Sequence, residues 1–211
     1  FASDEGIGVK RSETYKFMII LSPTGPYYAA PMRIYVEEEY TRAARGGVGY
    51  AKAAGNYGAS MLATAEAKRK GYDQVLWTDA VEHRYVQEIG TMNVFFATGK
   101  TVLTPNLSEG TILSGVTRDS AIEVLKEAGY LVEERNISID ELIDLYKEGE
   151  LNEVFGTGTA ATISLIKELR YKDFVMEFDT DNATTGKLVK QQLTDIREGR
   201  SPDIHGWMFR V

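Results

Sequence analysis

The sequence predicts a mixed α/β domain, because segments with strand-like and helix-like patterns alternate along most of the chain. Its 211 residues, 43% of them hydrophobic, suffice to bury one sizeable core. No internal repeat, low-complexity stretch or linker interrupts the sequence. One domain is therefore the simplest organisation.

Several short segments have strand character. Residues 15–21 are rich in β-forming types and precede the turn sequence Ser-Pro-Thr-Gly-Pro, so we expect a buried strand that enters a loop. Residues 33–36 alternate polar and apolar and predict a second strand. Glu-Glu-Glu-Tyr at 37–40 and the residues that follow predict a solvated, helical connection. The remaining expected strands are 74–77, a hairpin formed by 94–98 and 101–103, then 130–134, and a strand that follows Thr159 and runs through Ile166.

Helix signals lie between these strands. Residues 59–70 favour a helix by composition, and Gly71 is a natural stop. Thr117 precedes a second helix at 118–128, and Ser138 with Glu141 forms a capping box for a third. One face of a last helix is marked by Val189, Leu193 and Ile196.

Composition argues against several classes of partner. The net charge is −7 and basic residues do not cluster, so nucleic acid is not expected. No run approaches the roughly 20 apolar residues that a membrane span needs, so a membrane partner is not expected. The absence of cysteine suits a reducing cytoplasm. Because His83 and His205 are the only histidines and are far apart in sequence, no metal site is expected.

Lys52 lies within a glycine-rich segment, 46–58. No acidic residue occurs between Glu39 and Glu66, while Arg42 and Arg45 are close in sequence. Cationic neighbours, together with burial, favour the neutral amine that imine chemistry requires. On this local pattern alone, a solvated loop lysine remains the commoner interpretation, and the wider motif context decides between the two.

Seven motifs, taken together, resemble the signature of the branched-chain amino acid aminotransferases, which are fold-type IV, class IV pyridoxal-phosphate enzymes. They follow the family's order over essentially the whole chain. The motifs are Leu-Ser-Pro-Thr-Gly-Pro-Tyr at 21–27, Gly-Gly-Val-Gly-Tyr-Ala-Lys-Ala-Ala-Gly-Asn-Tyr-Gly at 46–58, Gln-Val-Leu-Trp at 74–77, Glu-Ile-Gly-Thr-Met-Asn at 88–93, Gly-Val-Thr-Arg at 115–118, Phe-Gly-Thr-Gly-Thr-Ala at 155–160 and Leu-Thr-Asp-Ile at 193–196.

The resemblance implies a barrel-like twisted sheet with surrounding helices. Residues 1–211 correspond to the family's cofactor-binding large domain, and 1–12 to the end of its interdomain connection. By this resemblance we expect the N-terminal small domain of the family to be absent from this chain. Because that domain supplies an arginine to the cofactor phosphate and part of the substrate pocket, the chain alone is expected to be weak or inactive as a transaminase.

The resemblance also assigns roles at the centre of the site. Lys52 would form the Schiff base with pyridoxal 5′-phosphate and carry a proton during catalysis. Glu88 would pair with the pyridine nitrogen of the cofactor, and Tyr57 would contact its phenolic oxygen. The alternatives are that Glu88 is an exposed strand residue and that Tyr57 is an ordinary core tyrosine.

Further residues would bind the phosphate and the substrate. Thr91 would lie beside the cofactor, and Thr117 is alternatively a plain helix N-cap. The phosphate would be held by Gly115, Val116, Thr117, Gly158 and Thr159. The substrate would be held by Met92, Thr159, Ala160, Ile7 and Val9, of which Ile7 and Val9 would come from a neighbouring subunit and imply a homodimer. Met92 is alternatively a core residue, and 158–160 a simple turn.

The expected reaction is transamination between Leu, Ile or Val and 2-oxoglutarate. D-Amino acid aminotransferase and aminodeoxychorismate lyase are related alternatives that share the lysine and glutamate roles. An alternative of another class is a non-catalytic domain that serves only folding or dimerisation, and failure to bind cofactor would favour it.

Overall fold

The computed structural model describes residues 1–23, 30–160 and 162–209. Strands and helices alternate through these residues, so the expected mixed α/β class is confirmed. The strands are β1 Met32–Val36, β2 Gln74–Thr78, β3 Val86–Ile89, β4 Met92–Thr98, β5 Thr101–Pro105, β6 Leu131–Arg135, β7 Glu153–Gly158, β8 Thr162–Tyr171 and β9 Phe174–Glu177. The helices are α1 Ala54–Ala59, α2 Met61–Arg69, α3 Val116–Glu127, α4 Ile139–Lys147 and α5 Thr185–Arg197, and none in the described stretches is long and apolar enough to cross a membrane.

The sheet closes into a barrel. Its strand order is β3-β2-β1-β8-β7-β4-β5-β6, and an additional antiparallel pairing of β3 with β4 joins two strands of that path into a ring. The closing pair sets Glu88 opposite Asn93 and Ile89 opposite Met92. The β1–β2, β1–β8 and β5–β6 pairs are parallel. The barrel-like sheet implied by the family resemblance is therefore confirmed.

Two large apolar clusters pack the barrel against its helices. One joins barrel strands to α4, and the other joins β4, β5 and β7 to α3 and α5. In the second cluster, the rings of Phe95 and Phe155 stack with centroids 5.1 Å apart. A Cβ atom at Gly186 of α5 would lie 2.6 Å from Leu165 Cδ2. Glycine at this position thus allows α5 to approach the sheet closely.

Much of the predicted local structure is confirmed. Thr98 pairs with Thr101 across the hairpin, where Gly99 has a φ of 64°. The Ser138 hydroxyl accepts a hydrogen bond from the Glu141 N–H at 3.1 Å, as expected of a helix N-cap. The predicted apolar face of α5 is buried.

The strand predicted at 15–21 is wrong. Tyr15 forms an isolated bridge with Ala2, whereas the apolar residues from Phe17 to Leu21 are exposed and lie outside any strand. A strand needs a hydrogen-bonding neighbour: the Lys16 N–H donates to the Phe1 carbonyl, but the part of the chain that the structure describes supplies no backbone partner for residues 17–21. The turn predicted after it falls partly on 24–29, outside the described residues.

The helical connection predicted at 37–40 is also wrong. The Glu37 carboxylate accepts hydrogen bonds from the N–H groups of Glu38, Glu39 and Tyr40, which gives a turn. Local side-chain bonds of this kind compete with helix formation.

Glu153, on β7, caps the N-terminus of α5. Its carboxylate accepts hydrogen bonds from the N–H groups of Thr184, Thr185 and Gly186, and it is 8% exposed. Burial alone would raise the pKa of Glu153, but these hydrogen bonds outweigh it and the net pKa is lowered. The folded protein therefore favours the ionised form, which also suits the positive end of the helix dipole.

Replacing Glu153 with Gln is expected to lower the free energy of unfolding by about 1–3 kcal/mol at pH 7. Because folding lowers the pKa of Glu153, its stabilisation is present above the unfolded pKa of about 4.3 and is lost as pH falls through the lower folded value. Urea unfolding followed by circular dichroism should therefore show the two proteins converging in acid. An equal difference at pH 7 and pH 3 would contradict this charge-dependent cap.

Candidate active site

Glu88 lies on β3 in the pair that closes the barrel, and it is 2% exposed. One carboxylate oxygen accepts the Leu113 N–H at 2.6 Å, and the other lies 2.9 Å from Arg42 Nε. Burial raises the pKa of Glu88 to about 7, although Arg42, the Leu113 N–H and Lys52 act in the opposite direction. The interpretation of Glu88 as an exposed strand residue is therefore wrong.

Asn93, opposite Glu88 in the closing pair, also holds the loop that contains Leu113. Its Nδ2 donates to the Leu113 carbonyl at 2.8 Å, so Glu88 and Asn93 hold the N–H and the C=O of one residue. A Cβ atom at Gly115 would lie 2.2 Å from Asn93 Oδ1, and glycine permits this close approach. Closure of the barrel thereby fixes the loop that leads into α3.

The first turn of α3 follows this loop. Gly115 is its N-cap in an extended conformation, and no side chain among the described residues caps the helix. The alternative that Thr117 is the N-cap is therefore wrong, since it lies inside the helix. Val116, Thr117 and Thr159 line a cavity of about 460 Å³ beside this turn. Uncapped N–H groups at a helix N-terminus can bind an anion.

Lys52 contacts the side chain of Tyr57. Its Nζ donates to the Tyr57 hydroxyl at 2.8 Å, and Tyr57 is held on the short helix α1. Asn56, which is buried, donates to the carbonyls of Val48 and Ala51 and so fixes the loop that carries the lysine. The expected burial of Lys52 is wrong, because its side chain is exposed.

These positions form two neighbouring groups. Tyr57, Glu88 and Thr91 line one small cavity with Leu113, and Thr117 and Thr159 share the larger cavity. The loop from 113 to 116 connects the two, since Leu113 borders the first cavity and Val116 the second. Lys52 lines neither cavity and reaches the first through the Tyr57 hydroxyl, so the small cavity, the amine and the first turn of α3 are connected through Tyr57 and this loop.

Comparison with known proteins places this arrangement in a family. Residues 2–169 match the family model described as amino-transferase class IV. The chain belongs to the class IV aminotransferases. It is 51% identical to the probable branched-chain-amino-acid aminotransferase of Staphylococcus aureus strain N315, covering 100% of this chain and 60% of that protein. The chain thus spans about three fifths of the curated relative it matches.

Solved structures of relatives agree with the fold. The branched-chain amino acid aminotransferase of Escherichia coli aligns with a TM-score of 0.76 at 29% identity, over 90% of this chain and 60% of that one. The branched-chain amino acid aminotransferase of Thermobaculum terrenum, solved in its PLP-form, aligns with a TM-score of 0.67 at 28% identity, over 81% and 52% of the two chains.

Some predicted site residues of this class IV aminotransferase lie apart from the two cavities. Ile7 and Val9 are fully exposed in the N-terminal segment. Met92 is 2% exposed and packs in the core, where a Cβ atom at Gly156 would lie 2.9 Å from its Cε. The position of the Met92 side chain therefore favours the core alternative. Gly158 and Ala160 flank Thr159 at the end of β7.

The sequence prediction missed two residues of the site, Arg42 and Asn93. The sequence indicates Arg42 only as a nearby charge, whereas in the structure Arg42 pairs with Glu88 and Arg45 pairs with Glu109. Asn93 lies within the Glu-Ile-Gly-Thr-Met-Asn motif. Interpreting that motif as a hairpin would have paired Asn93 with Glu88 across the turn.

Replacing Glu88 with Gln in the cofactor-free chain is expected to remove a pH-dependent contribution to stability. Folding raises the pKa of Glu88 to about 7, so its contribution is fully present below the unfolded pKa of about 4.3 and is lost as pH rises to about 7. The free energy of unfolding of the wild type relative to the variant should therefore fall by up to roughly 4 kcal/mol over this range.

Urea unfolding of both proteins from pH 4.5 to pH 8 measures this difference. The Arg42 charge left unpaired in the variant gives an offset that does not change with pH, because arginine remains protonated throughout. Parallel stability curves across the range would contradict the raised pKa of Glu88.

Proposed function

We propose that residues 1–211 form the cofactor-binding domain of a branched-chain amino acid aminotransferase. The enzyme would use pyridoxal 5′-phosphate to transfer an amino group between Leu, Ile or Val and 2-oxoglutarate. The main support is the buried Glu88 carboxylate, which lines one cavity with Tyr57, whose hydroxyl accepts a hydrogen bond from Lys52. The names of the relatives and the PLP-form of the Thermobaculum terrenum enzyme also support the proposal.

The site's chemistry fits the cofactor's ring. A buried carboxylate is stable when it is paired with a cation, and a protonated pyridine nitrogen is one. Glu88 accepts one contact from Leu113 and one from Arg42, which leaves acceptor capacity on its oxygens. Lys52 supplies a primary amine for the aldehyde, and Tyr57 a hydroxyl for the phenolic oxygen.

The cofactor's phosphate fits the cavity at α3. We assign its binding to the backbone of Gly115, Val116 and Thr117, because the first turn of this helix has no side-chain cap. Thr159 lines the same cavity, and the turn of Gly158, Thr159 and Ala160 is assigned to the phosphate and the substrate carboxylate. Arg197 adds a cation to this lining.

When bound, the cofactor supplies an electron sink that acidifies the Cα–H bond of an amino acid. Lys52 Nζ would move a proton between Cα of the amino acid and C4′ of the cofactor, a role that requires an amine free of any carboxylate partner. Tyr57 orients that amine through the 2.8 Å hydrogen bond. Glu88 holds a proton at the ring nitrogen, because its buried charge gains more from a cation than an exposed one would.

The active protein is proposed to be a cytoplasmic homodimer. Ile7 and Val9 are exposed apolar side chains, which suit burial against a second subunit beside the substrate pocket. The absence of cysteine is compatible with a reducing compartment.

Borohydride reduction in the presence of pyridoxal 5′-phosphate tests the proposed anchor. Reduction fixes the cofactor to whichever lysine it has condensed with, and peptide mass mapping should place the label chiefly on Lys52. The control variant Lys52→Met should retain only weak, scattered label. Comparable labelling of surface lysines such as Lys68 and Lys70 in the wild-type chain would contradict the assignment.

A substrate panel separates this function from that of related class IV enzymes. L-Leucine, L-isoleucine and L-valine should convert bound pyridoxal 5′-phosphate into its pyridoxamine form, detected by absorbance and by release of the 2-oxo acid. The rate of conversion with D-alanine should be lower by a factor of about 10 or more, since differences between side chains in an apolar pocket change the rate by that factor or a larger one. Faster conversion by D-alanine would point to a D-amino acid aminotransferase.

A further inference from the structure

We propose that Arg42 is a positioning residue, which holds Glu88 ionised and in a single orientation for the ring nitrogen of the cofactor. The inference rests on the proposed function, because it concerns how Glu88 is made ready for that nitrogen. It adds a residue that contacts the carboxylate from the side of the glycine-rich loop.

The contact between Arg42 and Glu88 is buried and specific. The two side chains are 6% and 3% exposed, and Arg42 Nε lies 2.9 Å from a Glu88 oxygen. The remaining nitrogens of the guanidinium bind backbone: Nη1 donates to the Thr111 carbonyl at 2.9 Å, and Nη1 and Nη2 lie 3.4 Å from the Gly49 carbonyl. Arg42 therefore joins β3, the glycine-rich loop and the loop before α3.

Close packing of the two loops explains why one guanidinium reaches both. A Cβ atom at Gly49 would lie 2.4 Å from the Thr111 carbonyl oxygen and 2.6 Å from Ala43 Cβ. Only a glycine lets these backbones approach so closely. The backbone contacts fix the Nη end of Arg42, so the Nε edge faces Glu88 and sets the orientation of its carboxylate.

Arg42 is also the positive charge near Glu88 that does not change during the reaction. The charged groups that act on this carboxylate are Arg42 and Lys52, the Leu113 N–H adds a hydrogen bond, and Tyr57 lines the same cavity. The ammonium group of Lys52 would have to give up its proton before its neutral amine could condense with the cofactor aldehyde and release water, so the charge of Lys52 is not constant. Arginine keeps its charge throughout, so Arg42 alone continues to favour the ionised carboxylate.

The test measures the protonation of the ring nitrogen directly, by ¹⁵N NMR of bound ¹⁵N-labelled pyridoxal 5′-phosphate at pH 7.5. The wild-type signal should be that of a pyridinium. Arg42→Met removes the charge and should move the signal towards that of a neutral pyridine, as Glu88→Gln should. Arg42→Lys keeps a charge and should restore part of the pyridinium signal, whereas a merely structural role for Arg42 would leave the signal unmoved.

Matched controls separate charge from folding. Arg45→Met removes the same charge from the same loop, but Arg45 pairs with Glu109 at the surface, so its spectrum should remain that of the wild type. If Arg42→Met does not fold, Arg42→Gln provides an uncharged side chain that keeps N–H donors, and the same shift is expected. The dissociation constant for pyridoxal 5′-phosphate should rise about 10-fold or more in either uncharged variant.

The outcomes distinguish this inference from the proposed function. A wild-type chain that fails to bind pyridoxal 5′-phosphate at Lys52 would overturn both. A wild-type chain that binds it as a pyridinium, with the same signal in a folded Arg42→Met or Arg42→Gln variant, would overturn only the role of Arg42.

Discussion

The pairing of β3 with β4 is the constraint on which the rest of the site depends. It closes the barrel and sets Glu88 directly opposite Asn93. These two side chains then hold the N–H and the C=O of Leu113. Since Leu113 leads through Gly115 into α3, one strand pair determines the position of both the buried carboxylate and the helix end assigned to the phosphate.

The same closure buries the charge of Glu88, and neighbouring groups in the site offset part of the cost. A carboxylate removed from water in the barrel wall is costly, which is why burial raises its pKa. Arg42 and the Leu113 N–H offset part of this cost, and a protonated ring nitrogen would offset more. Removing one partner of such a buried pair leaves an uncompensated charge. Each of Arg42 and Glu88 is therefore expected to stabilise the site only when the other is present.

The order of the motifs in the sequence was sufficient to predict the family and to single out Lys52, Tyr57 and Glu88 as site residues. Caps and hairpins such as Ser138 and Gly99 were predictable because they depend on local chemistry. Three features were not, since each depends on contacts between distant segments. The partner of Arg42, the closure at Asn93 and the exposure of the segment from Phe17 to Leu21 are set by which strands meet, and periodicity does not specify partners.

The most direct test of the central claim is a crystal structure of the chain with pyridoxal 5′-phosphate. The account predicts electron density continuous with Lys52 Nζ and a ring nitrogen within about 3 Å of a Glu88 oxygen. It also predicts that the phosphate lies at the first turn of α3. A cofactor that lay elsewhere, or a ring nitrogen far from Glu88, would contradict it.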